Sequence, residues 1–177
     1  DFEVCAVQIP LTVSEKLEHD KAHSSIVNLS KKLSARYGNR GNLIITCQRL
    51  LATGTSDKDV GAFLVAIQKR KEVLNSAHNR FRALDLLLHR HRTGKIMVFH
   101  ESIDDINRLE KRFNHFNPQT YHSKKTAKQR RVALETFSTQ PKGLLLSCKA
   151  LVEGVDIPDA DVGIMVSGTR SVRSRIQ

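Results

Sequence analysis

The chain has 177 residues, of which 40% are hydrophobic and 27% charged, enough for one ordinary core plus an appendage. Lysine and arginine outnumber aspartate and glutamate by 29 to 18, for a net charge of +11 and a pI near 9.9, so a polyanion is the expected partner. No apolar run approaches the roughly 18 residues that cross a bilayer, and no stretch reads as a secretory leader.

Three cysteines, Cys5, Cys47 and Cys148, are far apart and form no CxxC. Neither a zinc framework nor a disulfide scaffold is expected, only buried reduced thiols of an intracellular protein. The opening residues, Asp1 to Val4, read as the interior of a longer chain.

In chain order, Phe2 to Leu11 (FEVCAVQIPL) reads as a strand. Ser14 is then the expected cap of a long polar helix ending at Gly38, with Leu17, Ile26, Leu29 and Leu33 as a narrow buried stripe. A second helix is expected over Leu43 to Ala52, although IITC alone is also compatible with a strand. Gly54 to Asp57 breaks the chain and caps a third helix through AFLVAIQKRKEVL, and RFRALDLLLHRH forms a fourth. Nothing in this half resembles a catalytic site.

From Lys95 the rhythm changes. KIMVFH is a short apolar strand, buried on both faces. Ser102 caps SIDDINRLEKRF, with Ile103, Ile106, Leu109 and Phe113 on one side. QTYHS is a short strand, and Lys125 to Ser138 is a basic helix with Val132, Leu134 and Phe137 inward. KGLLLSC is a strand, ALVEG a helical turn and DVGIMVS a further strand. Alternating strands and helices imply a parallel α/β sheet, whose ligands sit beyond the carboxyl ends of the strands. Those ends are His100-Glu101-Ser102, Tyr121-His122-Ser123, Ser147-Cys148-Lys149 and Ser167-Gly168-Thr169. Between Lys111 and Leu134 there is no acid but seven lysines and arginines, an arrangement suited to phosphates. Aromatic residues are sparse, so phosphate contact outweighs base stacking as the expected mode.

Other motifs fail on inspection. Thr93-Gly94-Lys95 has the look of a P-loop end, but His89 occupies the position of its first glycine. Ile96 stands where Ser or Thr is needed, and the stretch precedes a strand instead of following one. His89 and His91 lie on different helix faces, so no metal is expected from that run. There is no GxGxxG and no supported Ser/His/Asp arrangement.

Taken together, KIMVFHES, YHSKKTAKQRRVALETFSTQPKGLLLSCKALVEGVDIP and SGTRSVRSRIQ resemble motif IV, motif V and the approach to motif VI of superfamily-2 helicases and translocases. The resemblance covers Arg80 to Gln177 and is nearest to the branch of XPB-type helicases and type I and III restriction motors. It implies a RecA-like parallel sheet flanked by helices over residues 79–177, cut within motif VI. Residues 1–78 would be a mostly helical linker or insertion region with one N-terminal strand, similar to the segment that joins the two motor domains there.

The resemblance also implies site residues. Gly154, Asp156 and Gln177 match positions facing the ATP cleft, where Asp156 would accept hydrogen bonds from ribose hydroxyls and Gly154 allow close backbone approach. Ser102, His122, Ser123, Lys124, Lys125, Ser147, Cys148 and Lys149 would line the nucleic-acid track. Cys148 stands where the family often has threonine, a better hydrogen-bond donor. Arg173 and Arg175 lie in the approach to motif VI, and the family's arginine finger falls just past Gln177. ATP and Mg2+ would be bound mainly by an N-terminal RecA-like domain of the same protein. No residue here matches a catalytic or metal-binding one, so this chain alone is expected not to hydrolyse ATP.

The partner expected is nucleic acid, DNA ahead of RNA, with no membrane involved; the location would be cytoplasm, nucleoid or nucleus. The alternative is a non-catalytic nucleic-acid-binding module on a RecA-like fold. A methyltransferase-like cofactor domain would need a glycine-rich loop after the first strand, and HESID is not one.

Overall fold

The computed structural model describes residues 3–38, 42–148 and 160–166. The chain divides into two compact units, Asp1–Asn79 and Arg80–Gln177.

The first unit is helical. Residues 3–12 have no regular structure, where a strand is expected over Phe2 to Leu11. A strand needs a ladder partner, and the described residues of this unit offer only helices; Pro10 also removes one donor. Helix α1 (Val13–Tyr37) is capped by Thr12, not Ser14. The Glu15 N–H donates to Thr12 Oγ1 (3.4 Å) and the Thr12 N–H to Glu15 Oε2 (2.8 Å), a reciprocal capping box. Glu15 Oε1 also accepts from the His78 N–H at 2.7 Å, and these backbone donors hold its carboxyl below the usual range. Helix α1 ends at Gly38, whose φ of 79° is open to glycine.

Helices α2 (Leu43–Ala52) and α3 (Lys58–Asn75) complete this unit. Its core gathers Leu33, Cys47, Val60 and Phe63, with Ile26 and Leu29 packed alongside. Leu17 is 58% exposed and lies outside the stripe expected of it. Cys5 is exposed while Cys47 and Cys148 are buried, so burial holds for two of the three thiols.

The second unit is a three-layer α/β/α sandwich. Its sheet comprises β1 (Lys95–His100), β2 (Gln119–Tyr121), β3 (Gly143–Cys148) and β4 (Val162–Met165), all parallel, in the order β2-β3-β1-β4. Strand alternation sends Ile96, Val98, Leu144 and Leu146 to one face. There they meet Leu84 and Leu88 of α4 (His78–Arg90), Ile106 and Leu109 of α5 (Ile103–Arg112), and Phe113. On the other face Met97, Leu145 and Tyr121 pack on Phe137 of α6 (Ala127–Thr139). Within α6, Ala133 is buried and Val132 is 47% exposed, reversing the expected orientation of Val132. A side chain one position off the inward row of a helix turns by about 100° and reaches water.

Gly94 owes its identity to packing. A Cβ there would sit 2.7 Å from Asp161 Oδ2, the atom that accepts from the Lys95 N–H, also at 2.7 Å. That carboxylate ties the start of β1 to the segment entering β4.

Candidate nucleic-acid interface

The register brings the carboxyl ends of β1, β2 and β3 into one row, while Ser167-Gly168-Thr169, the expected end beyond β4, lies outside the described residues. Phe99 and His100 of β1 stand beside Ser147 and Cys148 of β3, and Tyr121 of β2 stands beside Ser147. The chain then leaves β1 through Glu101 and Ser102, and β2 through His122 to Lys125.

Ser102 is the N-cap of α5. Its Oγ accepts from the Asp105 N–H at 3.4 Å, and its own N–H donates to His100 Nδ1 at 3.2 Å. Asp105 is buried, with Oδ2 3.6 Å from His100 Nδ1 and Oδ1 3.1 Å from an Arg108 guanidinium nitrogen. His100 and Asp105 thus fix the turn on which Ser102 is presented. Sequence reasoning treats His100 only as a strand end; the signal for Asp105 is the Ser102-x-x-Asp105 spacing of a helix start.

His122 is buried, and its Nδ1 has no hydrogen-bond partner among the described residues. Burial lowers its pKa, with the nearby charges of Lys125 and Lys124 adding to the effect against Glu110, which favours the neutral imidazole. The unfolded chain takes up this proton more readily than the folded one. The stability His122 contributes is therefore complete above the ordinary histidine value near 6.5, and is lost as pH falls from there through the lower folded value. Urea unfolding from about pH 7.5 to about pH 5 should show the midpoint falling with pH, and falling less steeply in His122→Asn. Identical slopes in the two proteins would remove His122 from the linkage.

Ser147 is fully buried and its Oγ also lacks a partner among the described residues. Cys148 Sγ donates to the Glu101 carbonyl at 3.3 Å, which joins the β3 end to the loop after β1. Ser123 and Lys124 are exposed, and Lys124 Nζ lies 3.9 Å from Asp104 Oδ1. Lys125 and Lys128 instead line a 310 Å3 groove at the outer edge of the sheet, with Glu110, Thr120 and Gln129. Arg130 lies over the Tyr121 ring at 5.9 Å, an internal contact.

The structure thus brings Ser102, His122, Ser147 and Cys148 to one end of the sheet, with Ser123 and Lys124 on the adjoining surface. Ser147 and His122 are interior groups and Lys125 faces the groove, so Ser102, Ser123 and Lys124 are the more accessible of these candidates. Lys149, Gly154, Asp156 and Gln177 lie outside the described residues, as does the turn ALVEG.

A parallel sheet between two helical layers, with polar strand ends at its carboxyl edge, defines a RecA-like α/β domain. The chain belongs to the helicase conserved C-terminal domain family, whose model matches residues 79–177. In solved structures it is similar to the Sulfolobus solfataricus SWI2/SNF2 ATPase C-terminal domain, with 16% identity and a TM-score of 0.58 over 91% of this chain and 70% of that one. It is also similar to the C-terminal part of the Fun30 ATPase domain, with 11% identity and a TM-score of 0.62 over 96% of this chain and 76% of that one.

Among curated proteins it is 24% identical to the DNA 3'-5' translocase XPB2 of Sulfurisphaera tokodaii, over 99% of this chain and 38% of the relative. It is 37% identical to the ATP-dependent RNA helicase mak5 of Schizosaccharomyces pombe, over 37% of this chain and 10% of the relative. The chain therefore spans well under half the length of either curated relative. No helix among the described residues is long and apolar enough to cross a membrane.

Proposed function

We propose that this chain is the C-terminal motor domain of an ATP-dependent nucleic-acid helicase or translocase, contributing part of the phosphate track and one wall of the inter-domain ATP cleft. The observation that carries the reading is the row of polar strand ends at the carboxyl edge of the sheet, in a chain of this family. The α5 cap at Ser102 and the exposed Ser123 and Lys124 would meet backbone phosphates, a contact that positions a strand without reading its bases. The match to XPB2 along nearly the whole chain favours DNA over RNA, since the match to mak5 is confined to 67 residues.

Gly94 precedes β1 and lies against the Asp161 carboxylate, a setting unlike that of a phosphate-binding glycine. ATP and Mg2+ would be held mainly by an N-terminal RecA-like domain, and ATP would supply the free energy for movement. This chain's Asp156 and Gly154 would face the ribose, and the approach to motif VI at Gln177 the phosphates. Closing and opening of the two domains would then advance the protein along one strand. The 177-residue chain alone would not hydrolyse ATP.

The test is binding of the whole protein to fluorescent DNA across a salt series. Lys124→Ala should weaken affinity by a similar factor on unrelated sequences and reduce the slope of log K against log salt by about one. An unchanged slope and affinity would take the track elsewhere. Sequence-selective loss would point to base readout.

A further inference from the structure

Asp85 and His89 lie four residues apart in α4, so their side chains share one face of the helix. His115 reaches the same place from the 3-10 turn Asn114–Phe116, which follows α5. Each of the three side chains has a ligand-type atom within 4.8 Å of those of the other two. The backbones that carry them are fixed by core packing, because Leu84 and Leu88 of α4 share one cluster with Ile106, Leu109 and Phe113.

The rings are also held. His89 Nδ1 is 2.9 Å from the Asp85 carbonyl oxygen, its ring meets Phe116 edge-on at 5.1 Å, and the His115 ring centroid is 5.9 Å away. The Asp85 carboxylate lies 3.4 Å from His89 Nδ1. Among the described residues it pairs with no lysine or arginine, although the chain carries 29 of them. Its negative charge is therefore available to a cation. His89 and His115 are exposed and Asp85 is half-exposed, so an ion has an open path.

We propose that Asp85, His89 and His115 bind a Zn2+ ion. Two imidazoles and a carboxylate suit zinc, whereas Mg2+ and Ca2+ favour all-oxygen sets. Three protein ligands leave a fourth position for water. Coordination at about 2.0–2.2 Å draws the three groups together by side-chain rotation. The bound ion clips α4 to the segment that follows α5, a structural staple outside the phosphate track. His91 lies beyond the end of α4 and is not one of the three clustered groups.

The test is calorimetric titration of the chelator-treated, tag-free chain with ZnCl2. A second imidazole pair, His19 and His23, stacks at 6.2 Å in the first unit and must be separated from this one. His89→Ala and His115→Ala should each weaken binding at least about 10-fold, as loss of a ligand exceeds the 10–100-fold cost of losing a supporting group. His91→Ala and the His19→Ala/His23→Ala double variant should bind as the parent does. His115→Asp, which restores a ligand, should recover most of the affinity. Binding that survives His115→Ala, disappears with the His19/His23 pair or is absent at millimolar Zn2+ would overturn the proposal.

Discussion

Phe113→Ala is expected to cost the second unit roughly 3–5 kcal/mol and to lower its melting temperature by about 12 °C or more. Phe113 is only 1% exposed and lies at the end of α5, in the cluster that joins α4, α5 and one face of the sheet. Truncation removes the ring's transfer free energy and leaves a cavity between elements already fixed on three sides. The contrast is Val132→Ala on α6, where a 47% exposed side chain should change stability by no more than about 0.5 kcal/mol. Thermal unfolding followed by circular dichroism compares the two. Equal losses would contradict the layer assignment.

Asp156→Ala should act on function and leave folding intact. In the whole protein, kcat/KM for nucleic-acid-stimulated ATP hydrolysis is expected to fall by about 10- to 100-fold, the equivalent of one charged hydrogen bond to a ligand hydroxyl. The expectation rests on the EGVDIP resemblance. If Asp156 meets the ribose, the loss should fall largely on KM for ATP, with DNA affinity in the absence of nucleotide unchanged. Hydrolysis at the parent rate would remove Asp156 from the cleft, and loss of the folded state would make it a structural turn residue.

The fold was legible wherever local pattern and tertiary need coincide. KIMVFH is an apolar run bounded by a glycine and a helix cap, and β1 occupies those six residues. The Gly38 stop was equally plain, because few other residues take its backbone angle. The errors arise where a partner decides. FEVCAVQIPL has strand-like residues, but a strand is half of a pair. Thr12 outcompetes Ser14 because Glu15 sits at the distance that closes the capping box, and the TVSE spacing did contain that signal. The candidate site was legible as a set of strand ends, since parallel topology alone places them together. Which of them are accessible was not. Burial of Ser147 and His122 follows from helices on both faces, and the meeting of His115 with α4 depends on a fold that no spacing rule encodes.

The central place of β1 bears on how the domain comes into being. A ribosome delivers β1 ahead of both its neighbours, since Lys95 pairs with Gly143 and Ile96 with Val162. During synthesis its apolar row waits, with both backbone edges open, until β3 and then β4 emerge. Only the helices made just before and after it, α4 and α5, are at hand to shield Ile96 and Val98. Assembly of the sheet is thereby slow compared with formation of the helices, and nascent chains are exposed to mispairing for that interval.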